Sequence, residues 1–370
     1  MRFSVVGPAH PYKGGPAQHA TGLAHHLADA GHDVALESWS AQYPKLLYPG
    51  QLTVDTPEMP LFPVTRHTLS WRRPDGWLRH GRRIGRASDA VVLFVYSPVQ
   101  VPAYLGLLTG LRRSDARVIG LCNNVLPHER RAIDIRLMGT LLDRLDGLLV
   151  HSAQQAELAA TMTGAPSFVA ALPPHLPDNK PGAATSDSDR PASRSLLFFG
   201  MVRPYKGLDV LLQALASGPE DVRLVVAGEF WGGTEDTEKL IADLGLADRV
   251  ELRPGYVASG DMPALFGAAD ALVLPYRSAT ASQNAMIAFE YGLPVIATRA
   301  GALADPVRDG VDGIVCEPAD VDSLVQALGR FYAPGEPERL RGGVRPLDPG
   351  PAWRDYVTAL EQAAAVPRRR

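Results

Sequence analysis

Arg203 and Lys206 stand three residues apart in the string Phe199-Gly200-Met201-Val202-Arg203-Pro204-Tyr205-Lys206-Gly207-Leu208-Asp209. A hydrophobic run ends at Gly200, a loop carries the two cations, and a helical pattern opens at Gly207. Two cations at a helix start can clamp a diphosphate, because their charge adds to that of backbone N–H groups without helical partners. The bland alternative is a solvated loop with two surface charges. A second loop, Lys13-Gly14-Gly15-Pro16, follows the first hydrophobic run and precedes a helical pattern from about Ala17. Glycine lets the backbone approach a phosphate closely, although a plain turn would need the same residues. A third string, Ser278-Ala279-Thr280-Ala281-Ser282-Gln283-Asn284, is small and polar and leads into a helix, so its hydroxyls and N–H groups can also hold an anion.

These strings need elements that deliver them to one place. Short runs rich in Val, Ile and Leu alternate with longer helical patterns, which is the signature of parallel βα units. The first half supplies strands near Phe3 to Val6, Val34 to Glu37, Val91 to Tyr96, Val118 to Leu121, Leu148 to His151 and Phe168 to Ala171. Between Pro173 and Arg194 five prolines and a Ser/Asp-rich patch replace the periodicity, as in a linker. The alternation restarts with Leu196 to Phe199, Leu224 to Ala227, Val250 to Leu252, Ala271 to Leu274, Val295 to Ala297 and Ile314 to Cys316. The expected division is a first doubly wound domain over 1–172, a linker over 173–194, a second domain over 195–349 and a closing helix within 350–370 that packs back on the first. Ligands of open parallel sheets sit at the carboxyl ends of the strands, so two such domains predict one site between them.

Composition sets the outer limits. A chain of 370 residues exceeds one ordinary core, and 46% hydrophobic with 21% charged residues reads as globular. A formal charge of -3 creates no global field for nucleic acid, so an anion site must be local. The two cysteines, Cys122 and Cys316, belong to no CxxC and fit a reducing cytoplasmic compartment. The first residues are too short an apolar run for a signal peptide. Val91 to Leu111 carries no formal charge and is long enough to span a membrane, but Pro98 and Pro102 split it into a strand and a helix. No HExxH, metal-spaced Cys/His set, Walker loop or GxSxG occurs, and no metal is expected.

With its flanks, the Arg203–Lys206 string resembles the GxxRxxKG donor-binding motif of the retaining GT-B glycosyltransferases of family 4. Gly228-Glu229 is similar to that family's "AG(E/D)G" position, and Asp270 to Tyr276 resembles its "aDvfvlPS" strand. Gly292 to Thr298 with Gly301 resembles "GxPVVAT…GG", and Asp309 to Gly313 resembles "dGxxG". The likeness spans most of residues 196–320 and is looser in the first half, where the Gly14-Gly15 loop carries it. It implies a GT-B fold, two Rossmann-like α/β domains facing across a cleft. It also implies a nucleotide diphosphate sugar as substrate, with no cofactor and no metal. Arg203 and Lys206 would neutralise the leaving diphosphate, while Gly14, Gly15, Gly200, Glu229, Thr280, Ala281 and Ser282 would line the donor. The family often places a His just after the strand that here ends at Leu121. That position is Asn123 in this chain, with His128 five residues on, and for His128 a site role and a structural one both stay open.

One departure bears on activity. The family's E-x7-E pair, counted back from Pro294, falls on Ala279 and Ile287, and Glu290 is the only acid on that helix. Glu290 would reach the donor ribose or be structural; both readings stand. The Ser278–Asn284 loop resembles a "SATQSG" variant in a branch that also lacks the pair. Six arginines lie between Arg72 and Arg86 with a single Asp75, and Arg79, Arg82, Arg83 and Arg86 share one helical face. Such a face is either solvated or touches an anionic membrane or a phosphorylated acceptor. The expected activity is transfer to an acceptor that is a small molecule, a lipid-linked species or a glycan, in the cytoplasm or at a membrane periphery. Rivals are a nucleotide-sugar epimerase and a non-catalytic protein that binds nucleotide sugar or supports a partner.

Overall fold

The computed structural model describes residues 1–43, 52–57, 59–127, 131–175, 194–280, 282–346 and 348–369. The chain forms two compact units, one of Met1–His175 with Asp348–Arg370 and the other of Leu176–Leu347. In the first unit the elements are β1 (Arg2–Val6), α1 (Gly15–Asp29), β2 (Asp33–Ala41), β3 (Thr65–Ser70), α2 (Pro74–Ala87), β4 (Ala90–Val95), α3 (Val101–Leu111), β5 (Arg117–Cys122), α4 (Ala132–Leu142), β6 (Gly147–Val150), α5 (Ala153–Ala160) and β7 (Ser167–Val169). The seven strands are parallel in the order β3-β2-β1-β4-β5-β6-β7. Every residue of β4 and β6 is buried, as strands covered on both faces by helices require. Strand β3 lies outside the expected set. Its residues Thr65-Arg66-His67-Thr68-Leu69-Ser70 pair with β2 alone, and exposure along this edge removes the apolar run that marks the inner strands.

The charge-free stretch Val91 to Leu111 divides into β4, a 3₁₀ turn at Pro98–Gln100 and α3, as its prolines lead one to expect. Among the described residues no helix is long and apolar enough to cross a membrane. Helices α2 and α3 meet backbone to backbone. A Cβ on Gly81 would lie 2.2 Å from the Leu107 carbonyl oxygen, and one on Gly110 would lie 2.3 Å from that of Leu78.

The second unit contains β8 (Ser195–Phe199), α6 (Leu208–Ser217), β9 (Arg223–Gly228), α7 (Glu235–Asp243), β10 (Val250–Pro254), α8 (Met262–Gly267), β11 (Ala271–Leu274), α9 (Asn284–Glu290), β12 (Val295–Thr298), β13 (Gly313–Cys316), α10 (Val321–Phe331) and α11 (Glu336–Gly343). Its six parallel strands run β10-β9-β8-β11-β12-β13, so the order reverses at β8 and β11. Such a reversal opens a crevice at the carboxyl ends of the two strands. The last helix, α12 (Pro349–Ala364), belongs to the first unit and packs on α1, β5, β6 and β7.

Where α12 meets α1, an aromatic layer closes over histidines. His19 of α1 is 1% exposed, shares a 2.9 Å hydrogen bond with His175, and packs against Phe94, Trp353 and Tyr356. His151 stacks on Tyr356. Burial holds the His19 pKa well below its ordinary value, aided by the neighbouring His175 and His151, and burial lowers His151 to about 4. The unfolded chain takes up protons at both sites below pH 6.5, whereas the folded unit does not, so stability falls as pH drops from 6.5 towards 4. His151 alone costs about 2 kcal/mol between pH 6.5 and 5, and His19 acts in the same direction. Denaturant titrations should show this slope in the wild type and a flatter one in His19→Gln/His151→Gln. An unchanged slope in the variant would assign the acid sensitivity to other groups.

Candidate functional site

The Arg203–Lys206 turn continues the β8–β9 pairing past the strand ends. Gly200 N donates to Ala227 O at 2.9 Å, Val202 N to Glu229 O at 2.7 Å, and Trp231 N to Val202 O at 3.1 Å. A single 3₁₀ turn, Pro204–Lys206, then leads through Gly207 into α6. Gly207 has φ +68°, and a Cβ there would stand 2.1 Å from the Pro275 carbonyl oxygen, so close approach to the β11 loop excludes a side chain. Arg277 ties the turn down from that loop. Its guanidinium donates to both Asp209 oxygens at 2.6 and 2.5 Å and to Pro204 O at 2.9 Å, and its N–H donates to Tyr205 O at 2.7 Å.

Lys206 is 9% exposed and has no carboxylate partner among the described residues. Its Nζ stands 5.2 Å from the centroid of the Tyr276 ring. Burial lowers its pKa, and the charge of Arg203 adds to the effect. Asn284, the first residue of α9, donates through Nδ2 to Phe199 O at 2.9 Å and to Tyr276 Oη at 3.4 Å. A Cβ on Gly200 would meet Asn284 Nδ2 at 3.3 Å and Lys206 Nζ at 3.4 Å, so two nitrogen donors flank the bare backbone of that glycine. Tyr276 is itself buried, its phenol is pushed up to about 12 by that burial, and its carbonyl accepts from Thr298 Oγ1 at 2.6 Å. Arg203 stacks its guanidinium 4.4 Å from the Trp231 ring centroid, which fixes its plane beside the same turn.

The structure brings Gly200, Lys206 and Ser282 into one cluster, Ser282 through hydrogen bonds to Tyr276 and from the Asn284 N–H at 3.3 Å. Thr280 is buried in the same loop, and Ala281 lies outside the described residues. Glu229 closes β9 and is half-buried. Glu290 ends α9, six residues beyond Asn284 and therefore about 9 Å along the helix axis from it. Ala279 and Ile287, where the carboxylate pair would have stood, are half-buried against an apolar cluster that includes Phe289 and Leu293. Sequence reasoning overlooked Asn284, Tyr276 and the Arg277–Asp209 pair. Asn284 had a usable signal, since it closes the Ser/Thr loop and opens the helix.

In the first unit Gly14 has φ +85°, and a Cβ on Gly14 or Gly15 would meet nothing within 4 Å, so the backbone at the start of α1 is open. Asn123 follows β5, its N–H donates to Val95 O at 3.0 Å, and its Oδ1 is buried without a hydrogen-bond partner among the described residues. His128 lies outside the described residues. Tyr96, after β4, forms a polar cluster with Gln42 and Tyr43. Because β1, β4 and β5 are neighbours, these groups all lie along the carboxyl edge of one sheet. Among the described residues no group of three His, Cys, Asp or Glu is placed to hold a metal ion.

This architecture has counterparts among known proteins. Over 98% of its length the chain superposes on sucrose-phosphate synthase from Thermosynechococcus elongatus, with TM-score 0.68 at 18% identity and 96% of that chain covered. The Anabaena protein HepE, solved with UDP and glucose, gives TM-score 0.69 at 17% identity, with 98% of each chain covered. The lipopolysaccharide outer core galactosyltransferase WaaB gives 0.68 at 16% identity, covering 98% of this chain and 99% of that one. The fold is GT-B, two Rossmann-like α/β domains. Residues 193–333 match the family described as Glycosyl transferases group 1. The D-inositol 3-phosphate glycosyltransferase of Mycobacterium marinum is 30% identical over 199 residues, 51% of this chain and 42% of the relative. That of Streptomyces griseus is 32% identical over 233 residues, 54% of this chain and 49% of the relative. The chain thus spans less than half the length of these relatives.

The two glycine loops separate experimentally. Gly207→Ala should destabilise the second unit by about 2 kcal/mol or more, because positive φ and a backbone clash add. Gly14→Ala, in open space, should cost the first unit only about 1 kcal/mol. Urea titrations that returned equal losses would remove the close-approach account of Gly207.

Proposed function

We propose that the chain is a cytoplasmic glycosyltransferase that takes a sugar from a nucleotide diphosphate donor, retains its anomeric configuration and passes it to an acceptor hydroxyl. The observation that carries this reading is Lys206, a nearly buried ammonium with no carboxylate partner among the described residues. A charge taken from water needs compensation, and an incoming diphosphate supplies it. Negative charge grows on the leaving diphosphate as the glycosidic bond breaks, so cations already in place bind the transition state more tightly than the ground state. Arg203 and Lys206 are assigned this role. Gly200, Glu229, Thr280, Ala281 and Ser282 are assigned to the donor, Glu290 to its ribose, and Gly14, Gly15, Asn123 and His128 to the donor's sugar end. The match of residues 193–333 to Glycosyl transferases group 1 supports the same reading. The charge balance is met by the chain's own cations, without a metal.

One rival has an observation in its favour. Ala279 and Ile287 replace the carboxylate pair and pack with apolar neighbours, which suits a protein that binds nucleotide sugar without turning it over. Melting curves with UDP, GDP, dTDP and ADP and their sugar conjugates, without added metal, test binding first. Selective stabilisation by one nucleotide that is lost in Arg203→Ala is the expected result. With that donor, Lys206→Ala should lower turnover roughly a hundredfold or more. Stabilisation without any consumption of donor would support the non-catalytic rival, and no stabilisation by any of the nucleotides would remove the diphosphate assignment.

A further inference from the structure

We infer that the outer face of α2 is a second anion site, built for a phosphate-bearing group and separate from the Arg203–Lys206 turn. Arg79, Arg82, Arg83 and Arg86, with Ala87, line a surface hollow of about 470 Å³. Their commitments differ. Arg83 donates through Nη1 and Nη2 to the fully buried Glu37 at 2.9 and 2.6 Å, and Arg66 of β3 donates to the same carboxylate at 2.9 Å. Arg79 pairs with Asp75. Arg82 and Arg86, one helical turn apart and both exposed, have no partner among the described residues. With Arg73, which also pairs with Asp75, six arginines stand against two carboxylates, and Arg82 and Arg86 carry the excess charge at the hollow.

Packing gives no reason for that excess. The opposite side of α2 does the packing, through Gly81, Ile84 and Gly85, and a Cβ on Gly85 would stand 2.6 Å from Ser114 Oγ. Like charges three and four residues apart destabilise a helix by about 0.2–0.5 kcal/mol per pair, so the face carries a cost that a bound anion would reverse. The glycine contacts with α3 also prevent α2 from rolling, and Glu37 holds Arg83 in place. The backbone of α2 and the Arg83 guanidinium are thus preorganised, which spares the ligand part of an ordering cost. Guanidinium forks match phosphate oxygens in geometry and charge. An interfacial membrane helix would instead present an apolar face beside its cations. The apolar side of α2 is already used on α3, so the fitting ligand is a phosphomonoester or diphosphate on a soluble molecule.

Calorimetry with inorganic pyrophosphate tests this in the full chain carrying Arg203→Ala/Lys206→Ala, which removes any contribution from the other turn. Micromolar binding is expected at low salt. Adding Arg82→Gln/Arg86→Gln should weaken it roughly tenfold or more without lowering the melting temperature, since neither side chain has a partner to lose and like-charge repulsion along the helix is relieved. Pyrophosphate binding that persists in the second variant, or no binding in the first, would overturn the site. Cosedimentation with phosphatidylglycerol vesicles in the absence of pyrophosphate binding would also overturn it, by making the face a membrane contact.

Discussion

The second unit is organised around one unfavourable charge. An ammonium withdrawn from water with no carboxylate partner is expensive to hold, and among the described residues Lys206 is held that way by its neighbours. Gly207 turns the chain with φ +68° beneath the Pro275 carbonyl, Arg277 locks the turn through Asp209 and Pro204, and Tyr276 offers Nζ the face of its ring. Asn284 and Lys206 then flank Gly200, where a side chain would crowd both nitrogens. On the proposed donor reading, these elements together would seat an anion against the Gly200 backbone.

Much of this is legible in the sequence. The alternation of apolar runs and helical patterns marked twelve of the strands because inner parallel strands are buried on both faces, and that burial writes continuous Val, Ile and Leu into the chain. β3 escaped because an edge strand needs no such run; Arg66 and His67 are exposed, and only Leu69 and Ser70 turn inward. The Arg203–Lys206 loop was legible because glycine and two cations at a strand end have few other physical uses. Asn284 and Tyr276 were not, since their roles depend on contacts across 85 and 8 residues of sequence, to Phe199 and Asn284 respectively. The histidines of the first unit were opaque for the same reason. His19, His151 and His175 come together from three distant stretches of chain, and α12 supplies the aromatic lid.

The loss of the carboxylate pair changes the electrostatics of the candidate site in a definite direction. Ala279 and Ile287 add apolar contacts to the core beneath the loop, while Ser282 and Asn284 supply neutral hydrogen-bonding groups above it. Asp209, the carboxylate on this turn, is already paired with Arg277 and so does not offset the charge of Lys206. A carboxylate accepts hydrogen bonds from hydroxyl groups of a ligand, whereas Asn284 Nδ2 donates. The two Asn284 Nδ2 protons are already engaged by Phe199 O and Tyr276 Oη.

Two buried ions in the two units show how a structural charge differs from one kept for a ligand. Glu37 is fully buried, yet Arg83 and Arg66 bring three N–H donors to its carboxylate, so the charge is satisfied within the fold. Lys206 is buried nearly as deeply, and its neighbours are an aromatic face, an amide and a glycine. Removing Glu37 would strand two arginines at a sheet edge, a loss to packing alone. Lys206 has no such compensation among the described residues, and the proposed donor diphosphate would supply it.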